Sequence, residues 1–322
     1  MSDEQGGTGG PTMRAIRQEE YGGPEVLHEV VVPRPLPGVG QLLVRVRAAG
    51  VNPTDWKHRA GPGFLGRPPF VLGWDVSGVV ERVGRGVTLF RPGDEVFGML
   101  PYPHGVGAHA EFAVGPARAF VRKPAAIDHV QAGALPLAAL TAWQALVDTA
   151  HVGPGDRVLI HAAAGGVGHL AVQLARARGA YVIGTASAQK HELVRGLGAD
   201  ELIDYRSADF AEAVHGVDVV LDTIGGDYQL RSLRTLRPGG TLVSLIPRAA
   251  EGLAAQAAAR EVDTRLMLVE ADHAGMQAIA DLVETESLRA IVAQTFPLAR
   301  AADAHRAGET GRTTGKLVLT VE

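Results

Sequence analysis

The stretch Val158-Leu-Ile-His161-Ala-Ala-Ala164-Gly165-Gly166-Val167-Gly168-His169-Leu-Ala-Val-Gln-Leu174 decides the fold. A short apolar run, a tight turn of small residues, and apolar residues at helical spacing make a strand–turn–helix unit. Matched to G-x-G-x-x-G, the special positions are Ala163, Gly165 and Gly168. Gly165 lets a pyrophosphate approach the backbone, and Gly168 lets helix and strand pack closely. The helix N-terminus adds N–H donors and the positive end of its dipole. The pattern departs at Ala163, and glycines that serve only packing would give a similar string. The preceding strand, the following helix and further units of the same kind favour a dinucleotide loop, with Ala164, Gly165, Gly166, Val167 and Gly168 as its cofactor-binding positions.

Downstream, strands are predicted at Tyr181–Gly184, Glu201–Ile203, Val217–Leu221 and Thr241–Leu245, after a first at Arg157–His161. Helices fit at Val167–Arg178, Lys190–Leu197, Phe210–Val214 and Tyr228–Leu236, and this alternation predicts a doubly wound parallel sheet. A helical stretch, Val130–Ala150, precedes it and a helix over Asp272–Glu286 follows. From Met13 to Lys123 the texture is β, with runs at Val26–Val32, Gln41–Ala48, Gly78–Val83, Glu95–Gly98 and Glu111–Val114. Ala290–Thr295 and Lys316–Val321 return to that texture. The expected architecture is an α/β Rossmann domain, 128–287, inserted into a mostly β domain of 13–127 and 288–322, with residues 1–12 a disordered tail. The interdomain cleft is the default ligand site.

The second strand ends in Gly184-Thr-Ala-Ser187-Ala-Gln-Lys190, with no acid to clamp ribose hydroxyls. Ser187 can donate to a 2′-phosphate and Lys190 can supply charge, which favours NADP over NAD. Lys190 is one of only four lysines among 31 basic residues, a rarity that singles it out from an ordinary solvated helix residue.

Composition excludes several classes. The net charge of −4 comes from scattered residues, so no basic stripe addresses nucleic acid. Cysteine is absent, which removes disulfides, thiolate metal sites and a cysteine nucleophile. No long apolar run or signal peptide is evident, so the expected location is cytoplasmic, away from the membrane.

Several separated motifs now align in order: Ala49-Gly-Val-Asn52-Pro-Thr-Asp55, Gly73-Trp-Asp75-Val-Ser-Gly78, Val87-Thr-Leu-Phe-Arg-Pro-Gly-Asp94, the Ala162–Gly168 loop, Gly198-Ala-Asp200, Asp222-Thr-Ile-Gly-Gly226 and Gly315-Lys316-Leu-Val-Leu319. From Met13 to Val321 the chain resembles the zinc-free, NADPH-dependent quinone oxidoreductases of the medium-chain dehydrogenase/reductase superfamily. The resemblance implies a GroES-like first domain and a homodimer formed through the sheet edge, here assigned to Thr241–Ile246 and Leu266–Val269. It implies that Tyr205 joins Ser187 and Lys190 at the 2′-phosphate, that Thr141 and Asn52 lie at the nicotinamide end, and that Lys316 belongs to a segment closing over the site. The zinc branch carries Cys where this chain has Asn52, and His-Glu where it has Trp74-Asp75, so no metal site is expected.

Hydride transfer to an already activated acceptor, a quinone or an enone, is the chemistry left to such a site. Asn52, Lys57, His58 and Tyr102 are candidate donors to the developing oxygen charge, with Asn52 and Tyr102 the catalytic assignments. His104 reads as a solvated loop residue. Reduction of enoyl thioesters and an NADPH-binding sensor with little turnover are the alternatives.

Overall fold

The computed structural model describes residues 10–322. Residues 1–9 of the expected tail lie outside the described residues, and the tail ends earlier than expected because Thr12 already pairs with Pro33. The β-rich part contains β1 (Thr12–Gln18), β2 (His28–Pro33), β3 (Gln41–Val51), α1 (Pro53–Ala60), β4 (Phe70–Val71), β5 (Asp75–Val83), β6 (Glu95–Met99), β7 (Phe112–Pro116) and β8 (Phe120–Arg122). α2 (His129–Gly133) and α3 (Pro136–Trp143) then lead into the α/β part. The predicted helix over Val130–Ala150 is broken at Pro136, which has no N–H to continue α2 and instead opens α3.

The α/β part runs β9 (Arg157–Ile160), α4 (Gly168–Ala177), β10 (Tyr181–Thr185), α5 (His191–Gly196), β11 (Glu201–Ile203), α6 (Phe210–Ala213), β12 (Val217–Asp222), α7 (Asp227–Ser232), β13 (Leu236–Ser244), α8 (Leu253–Ala259), β14 (Asp263–Leu266) and α9 (His273–Glu284). Its strands are parallel, in the order β11-β10-β9-β12-β13-β14. The order reverses between β9 and β12, and at such a switch point the crevice beyond the strand ends receives a ligand. β13 is paired on both sides, so the expectation that Thr241–Ile246 forms the sheet edge is wrong; the edge is β14. Alternation located five of these six strands and missed β14, and their lateral order depends on pairings that leave no local trace.

The chain then returns through β15 (Val292–Pro297), α10 (Ala301–Glu309) and β16 (Lys316–Thr320). β16 joins the large sheet of the β-rich part, antiparallel to β3, with Leu317 opposite Val51. That register sets Lys316 across from Asn52. A continuous apolar core runs from Leu42, Trp74 and Phe97 through Leu135 and Leu140 of the α2–α3 region to Val158 and Leu170. Burial of this kind stabilises by about 25 cal/mol per Å2 of apolar surface, so α3 ties the two parts by packing. No helix among the described residues is long and apolar enough to cross a membrane.

Candidate active site

A cavity of about 550 Å3 lies where the carboxyl ends of β9, β12 and β13 face α1 and the α10–β16 segment. Its α/β wall is the glycine-rich loop. Ala162 takes a left-handed conformation, φ 48°, and its carbonyl accepts the Gly165 N–H at 2.8 Å. The turn therefore falls one residue before the special position assigned to Ala163, whose N–H is engaged by the Thr185 carbonyl at 2.9 Å. A Cβ on Gly168 would stand 2.2 Å from the Ala162 carbonyl oxygen, so only glycine permits this turn to close onto α4. The N–H groups of Gly166 and Val167 find no acceptor among the described residues, and both residues line the cavity. Free backbone donors at a helix start, with no side chain at Gly165 or Gly166 to block approach, fit a dinucleotide pyrophosphate.

Two hydrogen bonds fix this loop to the returning chain. Gly315 N–H donates to the Ala164 carbonyl at 2.9 Å, and Ile291 N–H donates to His169 Nε2 at 3.0 Å. His169 Nδ1 lies 2.8 Å from the Gly165 carbonyl and must carry the proton, so the ring is neutral; burial pushes it down to about 4.

Ser187, Lys190 and Tyr205 follow the ends of the adjacent strands β10 and β11 and lie outside the cavity lining. Ser187 is buried and Tyr205 exposed, while Lys190 Nζ donates to the Arg312 carbonyl at 3.0 Å. A phosphate there would compete with that carbonyl for the ammonium.

At the other end, Asn52, Thr141, Tyr102 and Lys316 share the cavity with the loop. Asn52 caps α1, and its side chain is held at both ends: Nδ2 donates to Asp75 Oδ2 at 2.8 Å, and Oδ1 accepts from Lys316 Nζ. Lys316 Nζ is also 3.6 Å from Asp75 Oδ2, and Leu137 N–H donates to Asp75 Oδ1 at 2.6 Å. Burial pushes the Lys316 ammonium down, opposed by Asp75 and Asp55. Asp55 accepts the N–H groups of Asn52 at 2.7 Å and Gly73 at 3.0 Å; burial outweighs them and raises its carboxyl to about 7. Thr141 Oγ1 donates to the Leu137 carbonyl at 2.6 Å, which leaves it only lone pairs to offer.

Tyr102 Oη lies 3.0 Å from Thr54 Oγ1, and its ring packs edge-on against Trp74. Burial raises its phenol above the usual value, keeping it a donor. His58 Nδ1 is 2.8 Å from the Thr54 carbonyl, and Nε2 accepts Phe64 N–H at 3.2 Å. Both ring nitrogens are thus committed, which removes His58 as a proton donor. His104 is exposed and absent from the lining.

The sequence reading missed Thr54, Asp55 and the role of Asp75 in this network. The Asn52-x-x-Asp55 spacing at a helix start is a capping signal that points to Asp55. Of the run Leu266–Val269 expected at an assembly edge, Leu266 lies on the edge strand β14, whereas Met267, Leu268 and Val269, with Leu245 and Ile246, line the cavity.

Residues 38–125 match the alcohol dehydrogenase GroES-like domain, and residues 197–319 match the zinc-binding dehydrogenase family. The chain is 40% identical to a 2-haloacrylate reductase of a Burkholderia species, over 92% of this chain and 96% of that one. The quinone oxidoreductase of Coxiella burnetii superposes with a TM-score of 0.92 at 37% identity, covering 97% of this chain and 100% of that one. The chain belongs to the zinc-free quinone oxidoreductase branch of the medium-chain dehydrogenase/reductase superfamily. The quinone oxidoreductase of Escherichia coli, solved in complex with NADPH, superposes with a TM-score of 0.86 at 31% identity, over 96% of this chain and 100% of that one. This oxidoreductase therefore binds a pyridine nucleotide, and its glycine-rich loop is shaped for one. The zinc-branch ligand positions hold Asn52, Trp74 and Asp75, and no group of three or more His, Cys, Asp or Glu side chains that could hold a metal occurs among the described residues.

Proposed function

We propose that the protein reduces quinones or α,β-unsaturated carbonyl compounds with NADPH and without zinc. The observation that carries this reading is the Asn52–Asp75–Lys316 cluster. Where the zinc branch places metal ligands, a buried lysine ammonium faces the Asp75 carboxylate, which supports a reaction that draws on no metal. The cofactor, when bound, supplies the hydride. Thr141, Asn52 and Lys316 would hold its nicotinamide end, Thr141 with its free lone pairs as an acceptor for the amide. The phenol of Tyr102, oriented by Thr54, donates to the oxygen on which charge develops, and the apolar walls exclude water. Ser187, Lys190 and Tyr205 read the 2′-phosphate.

The 2-haloacrylate reductase relative favours a carbon–carbon double bond, rather than a quinone, as the reduced group. Following NADPH absorbance with quinones, enones and enoyl thioesters, before and after exhaustive chelation, tests the reading. Turnover that survives chelation is expected. Tight NADPH binding with no turnover of any acceptor would instead mark a sensor, and activity lost with removal of stoichiometric zinc would overturn the metal-free mechanism.

A further inference from the structure

The cavity is electrostatically one-sided. Among the described residues that line it none is acidic, and its two charged side chains are Lys57 and Lys316, in a chain of net charge −4. Lys316 is already answered by Asp75. Of the other lysines, Lys123 pairs with Glu95 at 3.2 Å and Lys190 donates to Arg312. Lys57 alone of the four takes no hydrogen-bond or ion-pair partner among the described residues. It occupies the last turn of α1, where Arg59 already supplies a cation, bonded to the Gly22 carbonyl and to Glu309.

Position adds direction to this unspent charge. Thr54, Lys57 and His58 stand at i, i+3 and i+4 and so share one face of α1. Thr54 holds the Tyr102 hydroxyl, and His58 braces Thr54. The Lys57 cation therefore lies one helical turn from Thr54, the residue that holds the Tyr102 hydroxyl, and lines the same cavity as Trp56, Phe64 and Leu268. Neither a neutral quinone nor a simple enone has a use for an unpaired cation at that place.

Resting on the reductase reading above, we infer that the physiological acceptor carries a carboxylate, and that Lys57 binds it. The residue is a specificity determinant rather than the oxygen donor it was considered to be from sequence. Because Lys57 is exposed in the free protein, its contribution lies between an exposed ion pair and a charge-assisted hydrogen bond.

The matched acceptors (E)-4-oxopent-2-enoate and its methyl ester test this. The ester withdraws electrons more strongly and is intrinsically the better hydride acceptor, so preference for the acid must come from the protein. The wild type is expected to favour the acid in kcat/KM, less so as salt screens the charge. Lys57→Met should lower the acid-to-ester ratio by about five- to tenfold, and Lys57→Arg should keep it. A second readout is calorimetric binding of the saturated acid, 4-oxopentanoate, in the presence of NADP+, which Lys57→Met should weaken by a similar factor. An unchanged ratio in Lys57→Met, or wild-type preference for the ester, overturns the inference. If no acceptor is turned over, the reductase reading fails. The binding measurement then decides the carboxylate site alone: sensitivity to Lys57→Met sustains it and insensitivity rejects it.

Discussion

Lys190 and Tyr102 carry the two residue-level claims that are simplest to separate. Lys190→Ala should weaken NADPH by about tenfold or more and NADH far less, since a charge-assisted hydrogen bond contributes about 1.5–3 kcal/mol and part of it is spent displacing the Arg312 carbonyl. Equal weakening of both nucleotides by calorimetry would show that Lys190 does not read the phosphate. Tyr102→Phe should lower kcat, because it removes the phenol proposed to donate to the acceptor's oxygen. Burial raises the Tyr102 phenol, so it stays protonated through the neutral and mildly alkaline range, and wild-type turnover should show no alkaline limb there that Tyr102→Phe abolishes. The place of Asn52 in the cavity was legible, but its bonding was not. Its amide is committed to Asp75 and Lys316, partners 23 and 264 residues away along the chain, and no local pattern announces contacts of that range.

Among the elements, the β9–α4 loop was the most legible, because its requirement for glycine is local and steric. Gly168→Ala places a methyl group 2.2 Å from the Ala162 carbonyl oxygen and should cost about 1–3 kcal/mol in chemical denaturation, with loss of nucleotide affinity. Gly196→Ala, at the end of α5 with nothing within 4 Å of the added carbon, is the control and should be neutral or mildly stabilising. Comparable losses in both would mean that the loop is not the tight turn described. The helices α1 and α10 were not predicted. α1 is mostly polar, Pro-Thr-Asp-Trp-Lys-His-Arg-Ala, and buries Asp55, His58 and Arg59 through partners elsewhere in the fold, so its sequence carries no apolar stripe. α1, so poorly patterned, supplies much of one wall of the cleft, which is why the fold could be read further than the pocket.

At the scale of the molecule, burial holds His109, His161 and His169 neutral, with pKa values pushed to about 4, and His305 lower still. An unfolded histidine titrates near 6.5, so between about pH 6.5 and 4 the unfolded chain binds more protons and stability falls as pH falls. Asp55, raised to about 7, acts in the opposite sense, its contribution being lost as pH rises through 7. Four groups outweigh one, and Tm should drop from pH 6.5 to pH 4; a rise over that interval contradicts the assignment. For assembly we expect a homodimer paired through the outer edge of β14, where Leu266 is exposed, and light scattering should return twice the 33.7 kDa chain mass. The central claim is hydride delivery to an activated acceptor inside the cleft, and isotope transfer tests it most directly. With NADPH deuterated at the transferred position of C4 and an enone acceptor, mass spectrometry of the product should find one deuterium, on the carbon β to the carbonyl. A reduced product without deuterium at that carbon, or no reduced product at all, would contradict it.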